Sequence, residues 1–157
     1  MEHIISVLVE NRFGVLAQIS GLFSGRGFNI DSLAVGETHD PAVSRMTIVV
    51  RGDDLVVEQI IKQLNRLVDV VKAEDLTDQK HIERELLLVR VSVSGKQRSE
   101  ILEIADVFRT KIVDVQQQSL TIEAAGSGEK LAALVDMLKP YGIKEMVRTG
   151  RIALARG

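Results

Sequence analysis

Ile4-Ile5-Ser6-Val7-Leu8-Val9-Glu10-Asn11-Arg12-Phe13-Gly14-Val15-Leu16-Ala17-Gln18-Ile19 changes its period partway along, and that change decides the fold. Over residues 3–10, alternation places Ile5, Val7 and Val9 on one face, and the continuous apolar character predicts a central strand. Beyond Gly14, the residues Val15, Leu16, Ile19, Leu22 and Phe23 fall at i, i+1, i+4, i+7 and i+8, the spacing of an amphipathic helix. Gly25 and Gly27 stand where that helix must stop, since glycine tolerates positive φ.

Working outward, residues 30–38 predict a second strand, His39-Asp40-Pro41-Ala42 a turn, and residues 44–51 a third strand with Met46, Ile48 and Val50 on one side. Gly52-Asp53 breaks the pattern and offers Asp53 as an N-cap, after which Val57, Ile60, Ile61 and Leu64 keep helical spacing. Residues 68–76 close the unit as a strand. The order is strand, helix, strand, strand, helix, strand: a ferredoxin-like antiparallel sheet with both helices on one face. The second half repeats it. Residues 85–93 are a strand, Ile101, Ile104, Ala105 and Phe108 mark a helix, and residues 112–116 and 120–124 form a hairpin. Leu131, Leu134, Val135 and Leu138 mark another helix, which Pro140 and Gly142 end. Residues 143–155 supply closing strand material with a bend or turn at Thr149-Gly150. The chain is therefore expected to be α+β, with two ferredoxin-like βαββαβ units. The polar stretch Thr77-Asp78-Gln79-Lys80-His81 separates them, giving domains at 1–77 and 83–157 with a linker at 78–82.

Composition narrows the function. The chain has 157 residues, 45% hydrophobic and 27% charged, which is ordinary globular usage. Its 20 Lys+Arg against 22 Asp+Glu give a net charge of −2, so no bulk positive field exists to hold a nucleic acid or an acidic membrane. The halves differ, however: residues 1–78 carry 7 basic and 12 acidic side chains, residues 79–157 carry 13 and 10. Without cysteine there is neither a disulfide framework nor a thiolate nucleophile, and a cytoplasmic protein is expected. No apolar run approaches the roughly 20 residues that span a bilayer. One tyrosine, four phenylalanines and no tryptophan leave the strands without the stacking aromatics of an RNA-reading sheet.

Residues that could carry chemistry do not converge. His3, His39 and His81 lie at a chain start, a turn and a linker, without metal-ligand spacing, and are expected to be exposed. The pairs Asp53-Asp54 and Glu74-Asp75 sit at element ends, where capping or solvated surface accounts for them. Gly126-Ser127-Gly128-Glu129-Lys130 opens a helix but lacks P-loop spacing, so Ser127 is expected as a cap. The informative segment is Asn11-Arg12-Phe13-Gly14-Val15-Leu16, which places unpaired backbone N–H groups at a helix start, suited to a carboxylate. Asn29 could accept from an ammonium and the apolar neighbours could bound a short aliphatic side chain, together suiting a small zwitterion. The competing account is that Asn11 caps the helix and Asn29 fills a tight turn.

These segments, with Gly21-Leu22-Phe23-Ser24-Gly25-Arg26-Gly27-Phe28-Asn29-Ile30-Asp31-Ser32-Leu33 and Ser44-Arg45-Met46-Thr47-Ile48, closely resemble the regulatory small subunits of acetohydroxyacid synthase, also called acetolactate synthase. Asn65-Arg66-Leu67-Val68-Asp69-Val70 and Glu83-Arg84-Glu85-Leu86-Leu87-Leu88-Val89 extend the resemblance past the linker. It implies that the first unit is an ACT domain, and that the chain is noncatalytic, with no metal or catalytic residues of its own. It further implies association with a catalytic large subunit, which carries thiamine diphosphate, Mg and FAD, and feedback inhibition by valine in branched-chain amino-acid biosynthesis. ACT domains of two protomers are expected to pair, in a homodimer or higher, with effector sites at their interface. Carried over by motif, the valine contacts are Asn11, Gly14, Val15, Leu16, Asn29 and Ile30: the N–H groups of Gly14, Val15 and Leu16 for the carboxylate, Asn11 and Asn29 for orientation, Ile30 for the apolar wall. Arg12-Phe13 stands where many relatives place proline before this glycine, which implies a less rigid turn. A free-standing ACT-type sensor serving another enzyme or a transcription factor shares every feature up to Asn29, and a small-molecule enzyme on a doubled ferredoxin-like scaffold is the remaining alternative.

Overall fold

A computed structural model describes residues 1–157. The first unit runs β1 (Glu2–Glu10), α1 (Val15–Ser24), β2 (Asn29–Glu37), β3 (Val43–Arg51), α2 (Asp54–Leu64), β4 (Val70–Asp75). Its antiparallel sheet has the order β2-β3-β1-β4, so the apolar first strand is central, as its composition predicted. Ile5, Val7 and Val9 face the helices and join Ile19, Phe23 and Ile60 in the main core. Asp53 is the cap expected of it, its carboxylate accepting from the Leu55 N–H at 2.8 Å. Past the end of α2, Asn65 copies a strand partner: its carbonyl accepts from Ala73 N–H at 2.8 Å and its amide donates to Ala73 C=O at 3.0 Å. The helix end is thereby pinned to β4.

Of the two glycines after α1, only Gly27 has positive φ (77°), while Gly25 stays right-handed at −64°. The chain then turns tightly enough for Phe28 to meet Phe23 edge to face, with centroids 6.4 Å apart.

The second unit follows the same order with β5 (His81–Ser92), α3 (Gln97–Val107), β6 (Lys111–Val115), β7 (Ser119–Gly126), α4 (Gly128–Leu138) and β8 (Ile143–Arg148), with strand order β6-β7-β5-β8. Leu87, Val89 and Val91 alternate into its core against Ile101, Leu134 and Leu138. Ser127 caps α4 by accepting from Lys130 N–H at 3.3 Å. Glu85 is buried, and Arg148 lies 3.6 Å from its carboxylate. No buried side-chain nitrogen or oxygen in the chain lacks a partner.

The closing segment departs from the sequence division. Residues 143–155 form two strands, β8 and β9 (Ile152–Ala155), broken at the expected bend or turn; β9 pairs with β5, yet Arg151–Gly157 is grouped with Met1–Ile82 instead of with Glu83–Gly150. β9 packs against β1 and β3, on the sheet face opposite the helices. Ala153 there joins Ile4, Val49 and Leu76 in a second small core, with Ile152 and Leu154 turned outward. A run of only four residues carries too little periodicity to reveal such a long-range return.

Gly52 abuts the Phe28 ring, which a Cβ at this position would overlap. Gly52→Ala is therefore expected to cost about 1–3 kcal/mol by forcing Phe28 off its packing on Phe23. Thermal denaturation of the variant checks this, and an unchanged midpoint would refute the assigned packing.

Candidate functional site

The turn between β1 and α1 is built around Gly14, which is the N-cap of α1 with φ 86° and ψ −8°, a left-handed conformation that favours glycine. No side chain caps the helix. The Val15 N–H reaches only Arg12 C=O, at 3.4 Å, and the N–H groups of Leu16 and Ala17 meet no backbone acceptor, so the helix start presents donors outward. Asn11 is not the cap. Its backbone N–H donates to Ala42 C=O at 2.7 Å, and its amide donates to Pro41 C=O at 3.2 Å and to the Glu37 carboxylate at 3.3 Å. The side chain thus ties the turn to the β2–β3 connection. Arg12 adds a second tether through Glu10 at 2.9 Å and Asp69 at 3.6 Å, restraint that a proline would otherwise supply. Val15 is buried in the core, so its side chain is structural, whereas Leu16 is half exposed and Phe13 fully exposed.

The structure does not bring the second half of the sequence-derived set to this turn. Asn29 opens β2, exposed and paired in register with Arg51, which in turn pairs with Glu2 at the beginning of β1. Ile30 follows, half-buried against the core. Asn11 stands just past the other end of β1, beyond Glu10, nine residues along the strand. At about 3.3 Å per residue, the two asparagines are some 25–30 Å apart within one chain. A small ligand does not reach both. Between Ile30 and Ser32 the β2–β3 register shifts, and Asp31 at this irregularity pairs with Arg51 at 2.8 Å.

His3 was expected to be exposed and is instead buried, only 4% accessible. Its Nδ1 lies 2.7 Å from Asp75 and its Nε2 2.8 Å from Asp54. Two carboxylates on two ring nitrogens call for a donor at each, and only the doubly protonated imidazolium supplies both. Burial pulls the His3 pKa down, but the two carboxylates outweigh that and leave it above the usual 6.5. Burial likewise pushes Asp75 up, and hydrogen bonds from Thr77 and His3 more than reverse it, leaving its pKa lowered. One carboxylate from each acidic pair thus pairs with His3, whereas capping or solvated surface was expected and only Asp53 caps as expected. Sequence gave no signal, because the partners lie 72 and 51 residues from His3. No group of three or more His, Cys, Asp and Glu side chains is arranged to hold a metal ion. No helix is long and apolar enough to cross a membrane.

Two ferredoxin-like units, the first opening on an uncapped glycine turn, define a module of the ACT type. Comparison agrees. Residues 5–72 match the family model described as AHAS small subunit-like ACT domain, and residues 84–157 match that described as small subunit of acetolactate synthase. The chain is 53% identical to the acetolactate synthase small subunit of Aquifex aeolicus, over 99% of this chain and 81% of that one. It is 52% identical to the probable acetolactate synthase small subunit of Archaeoglobus fulgidus, over 100% and 98%. The crystal structure of the small subunit from Thermotoga maritima superposes with a TM-score of 0.88 at 39% identity, covering 100% of this chain and 98% of that one. The chain belongs to the family of acetolactate synthase small subunits.

The His3 cluster has a definite pH dependence. A raised histidine pKa contributes stability that is complete below 6.5 and lost as pH rises through the folded value. The lowered Asp75 contributes above 3.8 and is lost as pH falls through its own folded value. The melting-temperature gap between the protein and His3→Gln should therefore be wide near pH 5.5 and narrow by about pH 9. A gap that widens toward alkaline pH would contradict the imidazolium assignment.

Proposed function

We propose that this chain is the noncatalytic regulatory subunit of an acetolactate synthase, working in the cytoplasm in branched-chain amino-acid biosynthesis. It associates with the thiamine-diphosphate-dependent catalytic subunit, raises its activity and makes it sensitive to feedback inhibition by valine. Thiamine diphosphate, Mg and FAD belong to that catalytic partner and none to this chain. Family membership supports the partnership. The geometry of the turn supports the effector: a left-handed Gly14 lets a carboxylate approach the outward-facing N–H groups at the start of α1.

The observation that carries the site assignment is the separation of Asn11 from Asn29 along β1. Those residues complete one pocket only if two chains contribute to it. β2 is an edge strand, with Val35 48% exposed, and an edge of this kind needs a partner. Two copies related by a two-fold axis set their β2 strands antiparallel, so the start of one meets the end of the other. Asn11 is bonded to Glu37, the last residue of β2, and this is the end at which Asn29 of the partner subunit then arrives. Each homodimer thus holds two effector sites. In each, one protomer supplies Asn11, Gly14, Val15 and Leu16 and the other supplies Asn29 and Ile30. The backbone N–H groups take the valine carboxylate, the two asparagines orient the ammonium, and Leu16 and Ile30 bound the isopropyl group.

Gly14→Asp places a carboxylate against that of the effector, in a left-handed conformation that aspartate tolerates better than most residues. It should abolish valine inhibition of the reconstituted synthase while activation persists; unchanged inhibition would remove the turn from the site. Mixed dimers decide whether the site is shared. Asn11→Ala and Asn29→Ala each lose valine binding as homodimers, but a heterodimer of the two rebuilds one intact site. Calorimetry should recover about half the wild-type stoichiometry. No recovery in the heterodimer would place each site within a single chain.

A further inference from the structure

We propose that the C-terminal segment, Arg151 with β9, is a strap that sets the position of the Asn29 half of the effector site, with Ser32 and Arg151 as its positioning residues. The inference rests on the effector assignment above and extends it to residues with no direct ligand contact.

Three hydrogen-bonding contacts of the strap fall within the first unit, beside the pairing of β9 with β5. Its backbone enters by donating the Arg151 N–H to Ser32 Oγ at 2.9 Å. The Arg151 guanidinium grips both oxygens of Glu2, at 2.7 and 3.4 Å, from a side chain only 23% exposed. At the far end Arg156 N–H donates to Lys80 C=O at 2.9 Å. Between them Ala153 is sealed against Ile4, Val49 and Leu76. The first two points fall on one corner of the sheet. Register places Glu2, Arg51 and Asn29 side by side there, and Ser32 follows the irregularity that separates it from Ile30.

At such an irregularity the ladder that fixes an edge strand is interrupted, so a local tether has more influence on where the strand lies than it would in a regular stretch. Ser32 is the residue at which regular pairing resumes, opposite Val49. Releasing it frees Asn29 and Ile30 to shift relative to β3. Arg151 binds Ser32 through the backbone and Glu2 through the side chain, and so ties β2 to the start of β1 across β3.

The test uses the full chain and valine. Ser32→Ala removes one hydroxyl, Ser32→Thr retains it, Arg151→Ala removes the grip on Glu2, and Arg90→Ala removes a comparable ion pair to Glu145 in the second unit as a control. Titration calorimetry well below the melting temperature should show valine affinity falling about 5- to 10-fold in Ser32→Ala and Arg151→Ala. It should be restored by Ser32→Thr and untouched by Arg90→Ala. Amides of residues 29–33 should exchange faster in the two weakened variants. Wild-type affinity in Ser32→Ala and Arg151→Ala, even with lowered melting temperatures, would show a merely structural strap and overturn the proposal. If the wild-type chain binds no valine, the effector assignment fails. The strap is then judged on exchange alone, where faster exchange at 29–33 sustains its hold on β2 and unchanged exchange ends it.

Discussion

Burial of β1 on both faces is the constraint from which the first unit is built. The strand is hydrogen-bonded along both edges, to β3 and β4, and its side chains are inaccessible from Ile4 to Val7 whichever way they point. A ferredoxin-like unit supplies helices for one face only. Ile5, Val7 and Val9 find α1 and α2, while Ile4, on the other face with Val49 and Leu76, would meet water if nothing lay over it. β9 answers that need with two small side chains, buried Ala153 and partly buried Ala155. Nearby on the same face the Arg45 guanidinium donates to Ser6 Oγ at 2.7 Å, so a buried hydroxyl there is also satisfied. The apolar first strand and the returning C-terminus are therefore two sides of one requirement, although nearly the whole chain separates them in sequence.

The same sheet explains why one chain does not complete the proposed effector pocket. A strand of nine residues separates its ends by far more than the length of an amino acid, and α1 begins at one end while β2 begins at the other. In the proposed dimer, what joins the halves is the exposed β2 edge and the antiparallel arrangement that two-fold symmetry gives it. Dimerisation is then a condition for the site rather than an addition to it.

Much of this was legible from local pattern. The shift from period two to period 3.6 at Gly14, the Asp53 and Ser127 caps and the doubled element order depend on neighbours within a few positions, and all appear in the structure. So does the uncapped turn, where a glycine stands just before a helical run. What sequence did not show depends on partners far along the chain. His3 gave no hint of burial, because its character comes from Asp54 and Asp75 converging on it once α2 and β4 are in place. A helix cap was the competing account of Asn11, and only the folded chain reveals that its side chain reaches Pro41 and Glu37 instead. Asn11 and Asn29 looked like one constellation because both suit a zwitterion. Residue chemistry is local, and distance along a strand becomes visible only after the strands are paired. Arg151–Gly157 follows the second unit in sequence, and its packing on β1 and β3 of the first appears only once the chain is folded.

A shared pocket also bears on how binding becomes regulation. An effector acts only through a difference in its affinity for two states, however tightly it binds either. In a site enclosed by one rigid chain, that difference must come from distortion of the chain itself. In a site with its carboxylate donors on one protomer and its asparagine on another, affinity depends directly on the spacing and angle between them, because a displacement of an ångström breaks one set of hydrogen bonds while sparing the other. In the proposed reading, valine favours whichever packing of the two ACT domains closes the pocket, and a catalytic partner that favours a different packing opposes valine by the same free energy. Reciprocal coupling of this kind requires the two halves to be held firmly within their own protomers, or ligand binding would be absorbed by local rearrangement. The Arg12 ion pairs and the Asn11 hydrogen bonds provide that stiffness for the turn. At the other half, where the β2 ladder is interrupted beside Asn29, Ser32 and Arg151 are the groups in position to do so.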